Sequence, residues 1–373
     1  MRKSRIIGVH LLNDFSGSPF VFSQALQALQ KNEEEVHLFT ATPSGNGFLN
    51  NVSGIQTHRL FYRWSTNKWV TLFYFLTSQV SLFFKILFFV RSGDIVYVNS
   101  ILPFGAAYAG KLRGAKLVYH VHEVSIKPVL LKKFLIWTMN RTAQKCIYVS
   151  KFLQNATKSN KYSSVIYNAV PESFREEAYR GYVRNRSAFT VLMLCSLKKY
   201  KGVDVFVRCA VHLPHIKFVL VLNASEEDID GYFQTLDRPR NLVLIPAQKN
   251  VHPFYRDCDL VMNLSLPDQW IETFGMTVLE AMVYGRPVIV PPVGGVAELV
   301  EDGIHGFRVD SRNEILLQQR ILELSSDQQL YQLMSAAAKH RSLEFSSKKF
   351  EEELVEEIQL TLVPEYPIEP KFN

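Results

Sequence analysis

The chain has 373 residues, of which 47% are hydrophobic and 21% charged, and its formal net charge is +7. This length predicts two domains, and the composition excludes disordered and collagen-like chains. The four cysteines are scattered without a C-x-x-C pair, which argues against a disulfide framework or a zinc site and suits a reducing compartment. The N-terminal "MRKSRIIGVHLL" has a short apolar run interrupted by His10. We therefore expect a first strand rather than a signal peptide, and a cytoplasmic protein.

The positive charge lies in the first half of the chain. Residues 1–172 hold 20 Lys+Arg and 7 Asp+Glu, whereas residues 173–373 hold 22 and 28. This asymmetry predicts that the first half meets an anion, either nucleic acid or an anionic membrane surface. No zinc knuckle, RNP-like aromatic motif or basic helical run supports nucleic acid. We therefore expect no nucleic-acid partner.

Short apolar runs alternate with helical stretches along the chain. The first series of predicted strands reads "RIIGVHLL", "EVHLFTA", "DIVYVNS", "KLVYHVH", "KCIYVS" and "SSVIYNAV". Residues 171–187 are charged and show little apolar periodicity. A second series then follows: "FTVLMLCS", "KFVLVLN", "NLVLIPA", "DLVMNLS", "RPVIVPP" and "GFRV". Strands rich in Val and Ile between helices predict parallel sheets covered on both faces.

Two such series predict an α/β protein of two Rossmann-like domains with a cleft between them. We assign residues 1–170 to an N-terminal domain on the acceptor or membrane side. Residues 171–345 form the predicted C-terminal, donor-binding domain. Residues 346–373 are expected to form a C-terminal helix and tail that pack back toward the N-terminal domain, as the end of a helical segment over 312–360.

Residues 69–90, "WVTLFYFLTSQVSLFFKILFFV", could cross a bilayer by length, at about 1.5 Å per residue. Their polar residues share one helical face, and the strands on either side should belong to one sheet, so we expect no span. Two alternatives remain open. One is a buried crossover helix. The other is a helix whose aromatic surface lies in an anionic membrane interface, flanked by Arg59, Arg63, Lys68 and Arg91.

Residues 270–295, "WIETFGMTVLEAMVYGRPVIVPPVGG", place two carboxylates in an apolar segment. A glycine turn predicts a buried helix over about 275–284, ended by Gly285. The N-terminus of such a helix favours phosphate. Glu272 precedes it and Glu280 lies inside it, so each is placed to accept hydrogen bonds from hydroxyl groups. A sugar nucleotide has hydroxyls at both ends and phosphate between them. The alternative is that Glu280 makes only a local cap or ion pair.

The segment 271–310 resembles the signature of the family 4 retaining glycosyltransferases of the GT-B fold. Weaker resemblance extends over "SLKKYKGVDVF", "CIYVSKFL", "VIYNAV", "YHVHE" and the early glycine turn. The resemblance implies a retaining, metal-independent enzyme without a cofactor, whose two Rossmann-like domains face each other across a cleft. It implies transfer from a UDP- or GDP-type nucleotide-sugar donor to a lipid-linked or saccharide acceptor. Cell-surface polysaccharide or glycolipid synthesis is the expected process.

The same resemblance assigns roles to residues of the second half. Glu280 would hold the donor ribose, Glu272 would bind the sugar ring, and Lys201 would neutralise the leaving phosphate. A fixed cation and oriented donors suit the negative charge that develops when a glycosyl–phosphate bond breaks. Backbone N–H groups would come from Phe274 and Gly275 to the sugar and from Met276 and Thr277 to the diphosphate.

One departure from the family pattern concerns the phosphate site. Cys195-Ser196 stands where the family usually has Gly-Arg, and Ser196 cannot supply that positive charge. Lys198 or Lys199 substitutes from a neighbouring position, or Lys201 acts alone; the sequence leaves these alternatives open.

In the first half, His122 of "YHVHEVS" matches a histidine that in the family faces the donor sugar, and the alternative is a structural strand histidine. Gly17 of "FSGSP" matches the glycine-rich first turn, where backbone would approach donor or acceptor. Because no G-x-G-x-x-G motif occurs, an NAD enzyme is not expected.

Asp257-Cys258-Asp259 is interpreted as structural rather than as a metal anchor.

Two other functions remain as alternatives. One keeps the fold in a sugar-nucleotide epimerase or a soluble sucrose- or glycogen-type synthase. The other is a non-catalytic, membrane-associated partner that keeps the fold but has lost the site. Its only support is Ser196, which stands where the family usually has an arginine. The basic, aromatic first half favours a peripheral position at the inner face of the membrane.

Overall fold

The computed structural model describes residues 5–32, 34–43, 45–50, 52–159, 161–180, 188–234 and 238–362. The chain forms two compact units, the first made of residues 1–167 and 348–373 and the second of residues 168–347. The sequence places the division between the two series of strands near residues 171–188, and residues 181–187 of that stretch lie outside the described residues.

The first unit is built on seven parallel strands in the order β3-β2-β1-β4-β5-β6-β7. Its elements are β1 (Arg5–Leu12), α1 (Gly17–Lys31), β2 (Glu35–Ala41), β3 (Gln56–Arg59), α2 (Lys68–Phe89), β4 (Ile95–Asn99), α3 (Phe104–Leu112), β5 (Lys116–Val121), α4 (Val129–Thr142), β6 (Lys145–Tyr148), α5 (Lys151–Thr157) and β7 (Tyr162–Val165). The central strands are almost completely buried, because helices cover both faces of the sheet.

The second unit is built on six parallel strands in the order β10-β9-β8-β11-β12-β13. Its elements are α6 (Glu172–Tyr179), β8 (Thr190–Cys195), α7 (Val203–His212), β9 (Lys217–Leu222), α8 (Glu226–Phe233), β10 (Leu242–Ile245), α9 (His252–Asp257), β11 (Leu260–Met262), α10 (Met276–Val283), β12 (Val288–Val290), β13 (Gly306–Arg308), α11 (Glu314–Ser326) and α12 (Gln328–Ser342). Both sheets reverse their strand order at a central strand, which is the doubly wound pattern. The predicted α/β class with two Rossmann-like domains is confirmed.

The last helix, α13 (Ser347–Leu360), packs against the first unit. Lys31 Nζ lies 3.1 Å from Glu351 Oε1, and buried Lys145 pairs with Glu357. These ion pairs join α13 to the end of α1 and to β6.

Two elements differ from the expectations. Strand β3 was not predicted, because Gln56–Arg59 is a largely exposed edge strand without the apolar pattern of a buried one. Helix α6 lies in the charged stretch 171–187, for which the sequence predicted no element. Its buried residue is Arg175, whose Nη2 donates to the carbonyl oxygens of Ser342 at 2.7 Å and Phe345 at 3.0 Å. A buried arginine fixes this helix, so apolar periodicity could not reveal it.

The predicted helix over 69–90 is present as α2, and it is the one described helix long and apolar enough to cross a membrane. It connects β3 to β4, which belong to one sheet, so it is a crossover helix. Its buried residues are Phe75, Ser78, Gln79, Leu82 and Ile86. Only 28% of its most apolar window is buried, so most of its apolar surface is exposed.

Candidate functional site

The centre of the candidate site in the second unit is an ion pair between Lys201 and Glu272. Lys201 ends a short 3₁₀ turn after β8, and Glu272 lies in the loop between β11 and α10. Lys201 Nζ contacts Glu272 Oε1, and Ser265 Oγ donates to the same oxygen at 2.8 Å. Both charged side chains are 16% exposed. The sequence predicted both residues for the site, and the structure brings them into direct contact.

Burial raises the pKa of Glu272, but the charge of Lys201 and hydrogen bonds from Lys201, Ser265 and Asn263 outweigh it. The pKa is held below its ordinary value of 4.5. Glu272 is therefore ionised at neutral pH, and Lys201 is held by a fixed counter-charge.

Trp270 is a contact that the sequence did not predict. Lys201 Nζ lies 5.1 Å from the centre of the Trp270 ring, and that ring stacks on Tyr200 at 5.2 Å. A cation over an indole face is attracted by the ring quadrupole. Trp270 stands two residues before Glu272 in the quoted segment, but an aromatic residue in an apolar stretch is normally core, so its position gave no signal.

Helix α10 begins beside Glu272, as predicted. Its N-cap, Gly275, has φ of +101°, and a Cβ added there would lie 2.6 Å from Val296 Cγ2. Glycine is required because the backbone is left-handed and the space is filled. Within the described residues, the N–H groups of Met276 and Thr277 have no acceptor. Free N–H groups and the positive end of the helix dipole suit a phosphate.

The side chain of Phe274 packs in the core with its ring 6.1 Å from Phe345, so only its backbone could serve the site.

Glu280, one turn inside α10, is held by a tyrosine. Tyr255 of α9 is fully buried and its hydroxyl donates to Glu280 Oε2 at 2.6 Å. Burial raises the pKa of Glu280 to about 7, and the Tyr255 hydrogen bond opposes that rise. The Tyr255 ring stacks on Tyr284 at 5.8 Å. Sequence reasoning identified Glu280 but missed Tyr255, which lies 25 residues earlier in the chain.

The other predicted phosphate residues lie in the turn before Lys201. Lys198 is exposed and its N–H donates to the Ser196 carbonyl oxygen at 2.8 Å. Lys199 is also exposed, and neither side chain contacts the Lys201–Glu272 pair among the described residues. The choice between Lys198, Lys199 and Lys201 alone therefore stays a prediction.

In the first unit, His122 follows β5 at the carboxyl edge of the sheet. Burial lowers its pKa well below 6.5, and neighbouring His120 and His10 add to the effect. The ring is therefore neutral, and its Nε2 donates to Asn99 Oδ1 at 2.8 Å. Asn99 Nδ2 donates in turn to His10 Nδ1 at 3.0 Å. Asn99 thus fixes the tautomer of His122 and leaves Nδ1 as its acceptor.

Gly17 is the first residue of α1 and is exposed, with nothing within 4 Å of an added Cβ. The turn before it is held by Asp14, whose carboxylate accepts from the Ser16 N–H at 2.9 Å. Gly17 lies at the carboxyl edge of the first sheet, as β1 ends just before it. Its predicted approach to a ligand stays a prediction.

No group of three or more His, Cys, Asp or Glu among the described residues could hold a metal ion. Asp259, in the tripeptide interpreted as structural, accepts from the Thr190 N–H at 2.8 Å and so joins the starts of β8 and β11.

Two family models match this chain. That of the Glycosyl transferases group 1 matches residues 174–341, and that of Glycosyltransferase Family 4 matches residues 16–174. The chain is 28% identical over 271 residues to an uncharacterised glycosyltransferase of Methanocaldococcus jannaschii, covering 70% of this chain and 74% of that relative. It is 30% identical over 151 residues to the trehalose synthase of Pyrococcus horikoshii, covering 37% of this chain and 35% of that enzyme.

Solved structures share the fold over nearly the whole chain. HepE of Anabaena in complex with UDP-glucose has a TM-score of 0.79 at 18% identity, covering 95% of this chain and 99% of HepE. The pneumococcal O-GlcNAc transferase GtfA in complex with UDP and GlcNAc has a TM-score of 0.70 at 13% identity, covering 97% of this chain and 100% of GtfA. At these identities the likeness shows the fold.

The two doubly wound units and these neighbours define a protein of the GT-B fold. With both family models matched in order along the chain, it belongs to the group 1 and family 4 glycosyltransferases and is a glycosyltransferase. The family predicted from residues 271–310 is confirmed.

Proposed function

We propose that this glycosyltransferase moves a sugar from a nucleotide-sugar donor, of the UDP or GDP type, to a lipid-linked or saccharide acceptor with retention at the anomeric carbon. The process we propose is the synthesis of a cell-surface polysaccharide or glycolipid. The observation that carries the donor assignment is the Lys201–Glu272 pair beside the free N-terminus of α10. HepE and GtfA, whose structures contain UDP or UDP-glucose, support UDP as the nucleotide.

The proposed chemistry depends on where negative charge develops. When the glycosyl–phosphate bond breaks, charge builds on the leaving diphosphate, and fixed donors stabilise it without having to reorganise. Lys201 supplies a positive charge already positioned by Glu272 and Trp270. The N–H groups of Met276 and Thr277 supply oriented dipoles.

The two glutamates serve the ends of the donor in this proposal. Glu272, ionised, accepts hydrogen bonds from sugar hydroxyls, and Glu280 accepts them from the ribose through the oxygen that Tyr255 leaves free. His122 of the first unit is neutral, and its assignment to the donor sugar rests on the resemblance alone. Retention rests on the resemblance of residues 271–310 to retaining enzymes.

A thermal-shift screen against UDP-, GDP- and ADP-sugars tests the donor assignment. We expect one nucleotide class, UDP in the first place, to raise the melting temperature of the wild-type chain but not of Glu280→Ala. Free glucose is the control, since it lacks the diphosphate and ribose. Stabilisation by none of the nucleotide sugars would contradict the proposal.

We also propose that the protein is cytoplasmic and peripheral at the inner face of the membrane. The exposed aromatic surface of α2 and the basic residues near it support this position.

A further inference from the structure

The outer surface of the first unit carries an unusual number of large apolar side chains. On α2, Trp69 is 79% exposed and Phe88 82%; on α4, Leu130 is 78% exposed. Helix α3 lies between these helices, and its Phe104 ring packs on Phe75 of α2 at 5.9 Å and Phe134 of α4 at 5.2 Å. We define the α2–α4 surface as Trp69, Phe73, Val80, Phe84 and Phe88 together with Val129, Leu130, Phe134 and Trp137.

The buried side of α2 holds two polar residues beside Phe75, Leu82 and Ile86, while large apolar residues such as Trp69 and Phe88 stay exposed. Ser78 and Gln79 are buried, and Gln79 Oε1 accepts from the Gly105 N–H at 3.0 Å. A surface helix of a soluble protein normally turns its apolar stripe inward. Extended apolar surface left outside marks a binding face for protein or membrane.

The charges around this surface favour an anionic partner. Residues 36–171 contain 16 Lys+Arg but only two acidic residues, Asp94 and Glu123. Asp94 is buried in an ion pair with Arg5 at 2.7 Å, and Glu123 accepts hydrogen bonds from Ser100 and nearby backbone. The cations on or beside the α2–α4 surface are Lys68, Lys85, Lys127, Lys133 and Arg141, all exposed. Cations around tryptophan and phenylalanine, without an exposed carboxylate, complement an anionic lipid surface.

The α2–α4 surface begins at the carboxyl edge of the first unit's own sheet. Helices α2 and α4 each follow a strand of a parallel sheet, so both begin at its carboxyl edge. His122 and Gly17 lie at that same edge. Trp69 and Leu130, in the first turns of the two helices, therefore lie toward this edge. A bilayer on this surface would present the polar end of an embedded lipid near this edge of the sheet.

We infer that the α2–α4 surface docks on an anionic bilayer and that the acceptor is carried on a lipid in that bilayer. The docking is independent of the chemistry, whereas the lipid acceptor rests on the proposed function. The contribution of α4 is the new element, because the sequence indicated only the helix at 69–90.

Co-sedimentation of the full chain with vesicles tests the docking. The vesicles are phosphatidylcholine alone, or equal parts of phosphatidylcholine and phosphatidylglycerol, at low salt and at about 0.5 M NaCl, where screening is strong. We expect binding only to the anionic vesicles and weaker binding at high salt. The double variants Trp69→Ser/Phe73→Ser and Leu130→Ser/Trp137→Ser should each lose about tenfold or more in binding.

Ile315→Ser/Leu333→Ser is the matched control, since these residues are 71% and 64% exposed on helices of the second unit. It should bind as the wild type does. UDP binding, measured by calorimetry, should be unchanged in every variant, which shows that each is folded. Wild-type sedimentation of the α4 variant overturns the proposal. A concentration-dependent dimer that the same substitutions abolish would assign the surface to a second copy and also overturns it.

The acceptor is tested with radiolabelled UDP-glucose and UDP-N-acetylglucosamine added to the enzyme and membranes of the source cells. We expect label in the chloroform–methanol phase, and less of it with Leu130→Ser/Trp137→Ser. Label confined to water-soluble saccharide overturns the lipid acceptor. Absence of transfer together with absence of UDP binding would count against the proposed donor function instead, while the vesicle result would stand by itself.

Discussion

At the scale of residues, the candidate donor site consists of charges whose partners are already in place. Lys201 is held between the Glu272 carboxylate and the Trp270 ring, and Glu280 is held by Tyr255. Partners held in this way reduce the ordering that substrate binding would otherwise require.

Lys201→Ala should remove most of the donor affinity. Hydrogen bonds to charged groups contribute roughly 1.5–3 kcal/mol, which corresponds to about a ten- to hundredfold loss in affinity. The substitution also leaves Glu272 buried without its cation, so the negative charge would repel a diphosphate. Isothermal titration with UDP measures the loss. Lys217→Ala, an exposed lysine at the start of β9, is the control. Unchanged affinity in a folded Lys201→Ala protein would remove this residue from the site.

Tyr255→Phe should change the pH dependence of donor binding. Burial raises the pKa of Glu280 to about 7, and the Tyr255 hydroxyl favours the ionised form. Without that hydroxyl the pKa rises further, so Glu280 stays protonated to a higher pH. Because the ionised form accepts hydrogen bonds from the ribose more strongly, affinity should increase as the pH rises through the pKa. The midpoint should move up by about one pH unit in the variant.

UDP titrations between about pH 6 and pH 9 would locate this midpoint. Tyr284→Phe is the matched control, because the Tyr284 hydroxyl contacts His252 Nδ1 at 2.6 Å rather than Glu280. Identical pH profiles for wild type and Tyr255→Phe would show that Tyr255 does not position Glu280. The raised pKa of Glu280 also makes the stability of the fold depend on pH. Glu280 contributes stability that is present below pH 4.5 and lost as the pH rises through about 7.

At the scale of elements, the start of α10 depends on one backbone conformation. Gly275→Ala should both destabilise the fold and weaken donor binding, since φ is +101° and the new Cβ would meet Val296 at 2.6 Å. Strain of this kind costs about 1–3 kcal/mol. Any shift of Gly275 also moves the N–H groups of Met276 and Thr277.

Thermal unfolding and UDP titration measure the two effects. Gly231→Ala in α8 is the control, because an added Cβ there meets nothing within 4 Å and alanine favours a helix. If Gly275→Ala left UDP affinity unchanged in a folded protein, the N-terminus of α10 would not be the diphosphate site.

Some helices and strands could be predicted from sequence patterns alone, and others could not. The buried strands of both units were predicted within a few residues, because Val- and Ile-rich runs between helices have few alternatives. Helix α6 and strand β3 were missed, since a buried arginine fixes the first and sheet-edge pairing defines the second. For α2, the sequence left a buried and an exposed alternative, and the exposures of Trp69 and Phe88 favour the second.

At the scale of the whole molecule, we expect turnover that does not depend on a divalent metal. In the proposed mechanism Lys201 and the α10 N-terminus supply the positive charge for the leaving diphosphate. Addition of EDTA should therefore leave UDP release from the donor nearly unchanged. A known metal-dependent transferase assayed in parallel controls for the chelation. Complete loss restored by Mn²⁺ or Mg²⁺ would point to a metal bound by the enzyme or its substrates.

The sequence by itself determined the class of fold, the family and the residues Glu272, Glu280 and Lys201 as site candidates. These follow from local information: apolar periodicity, a glycine at a helix start, and a segment long enough to resemble a family. Contacts between distant parts of the chain required the tertiary structure. Lys201 and Glu272 are 71 residues apart, and Asn99 and His122 are 23 apart. The face that α2 turns to solvent was also a tertiary result, because helix periodicity separates two faces but only packing selects the buried one.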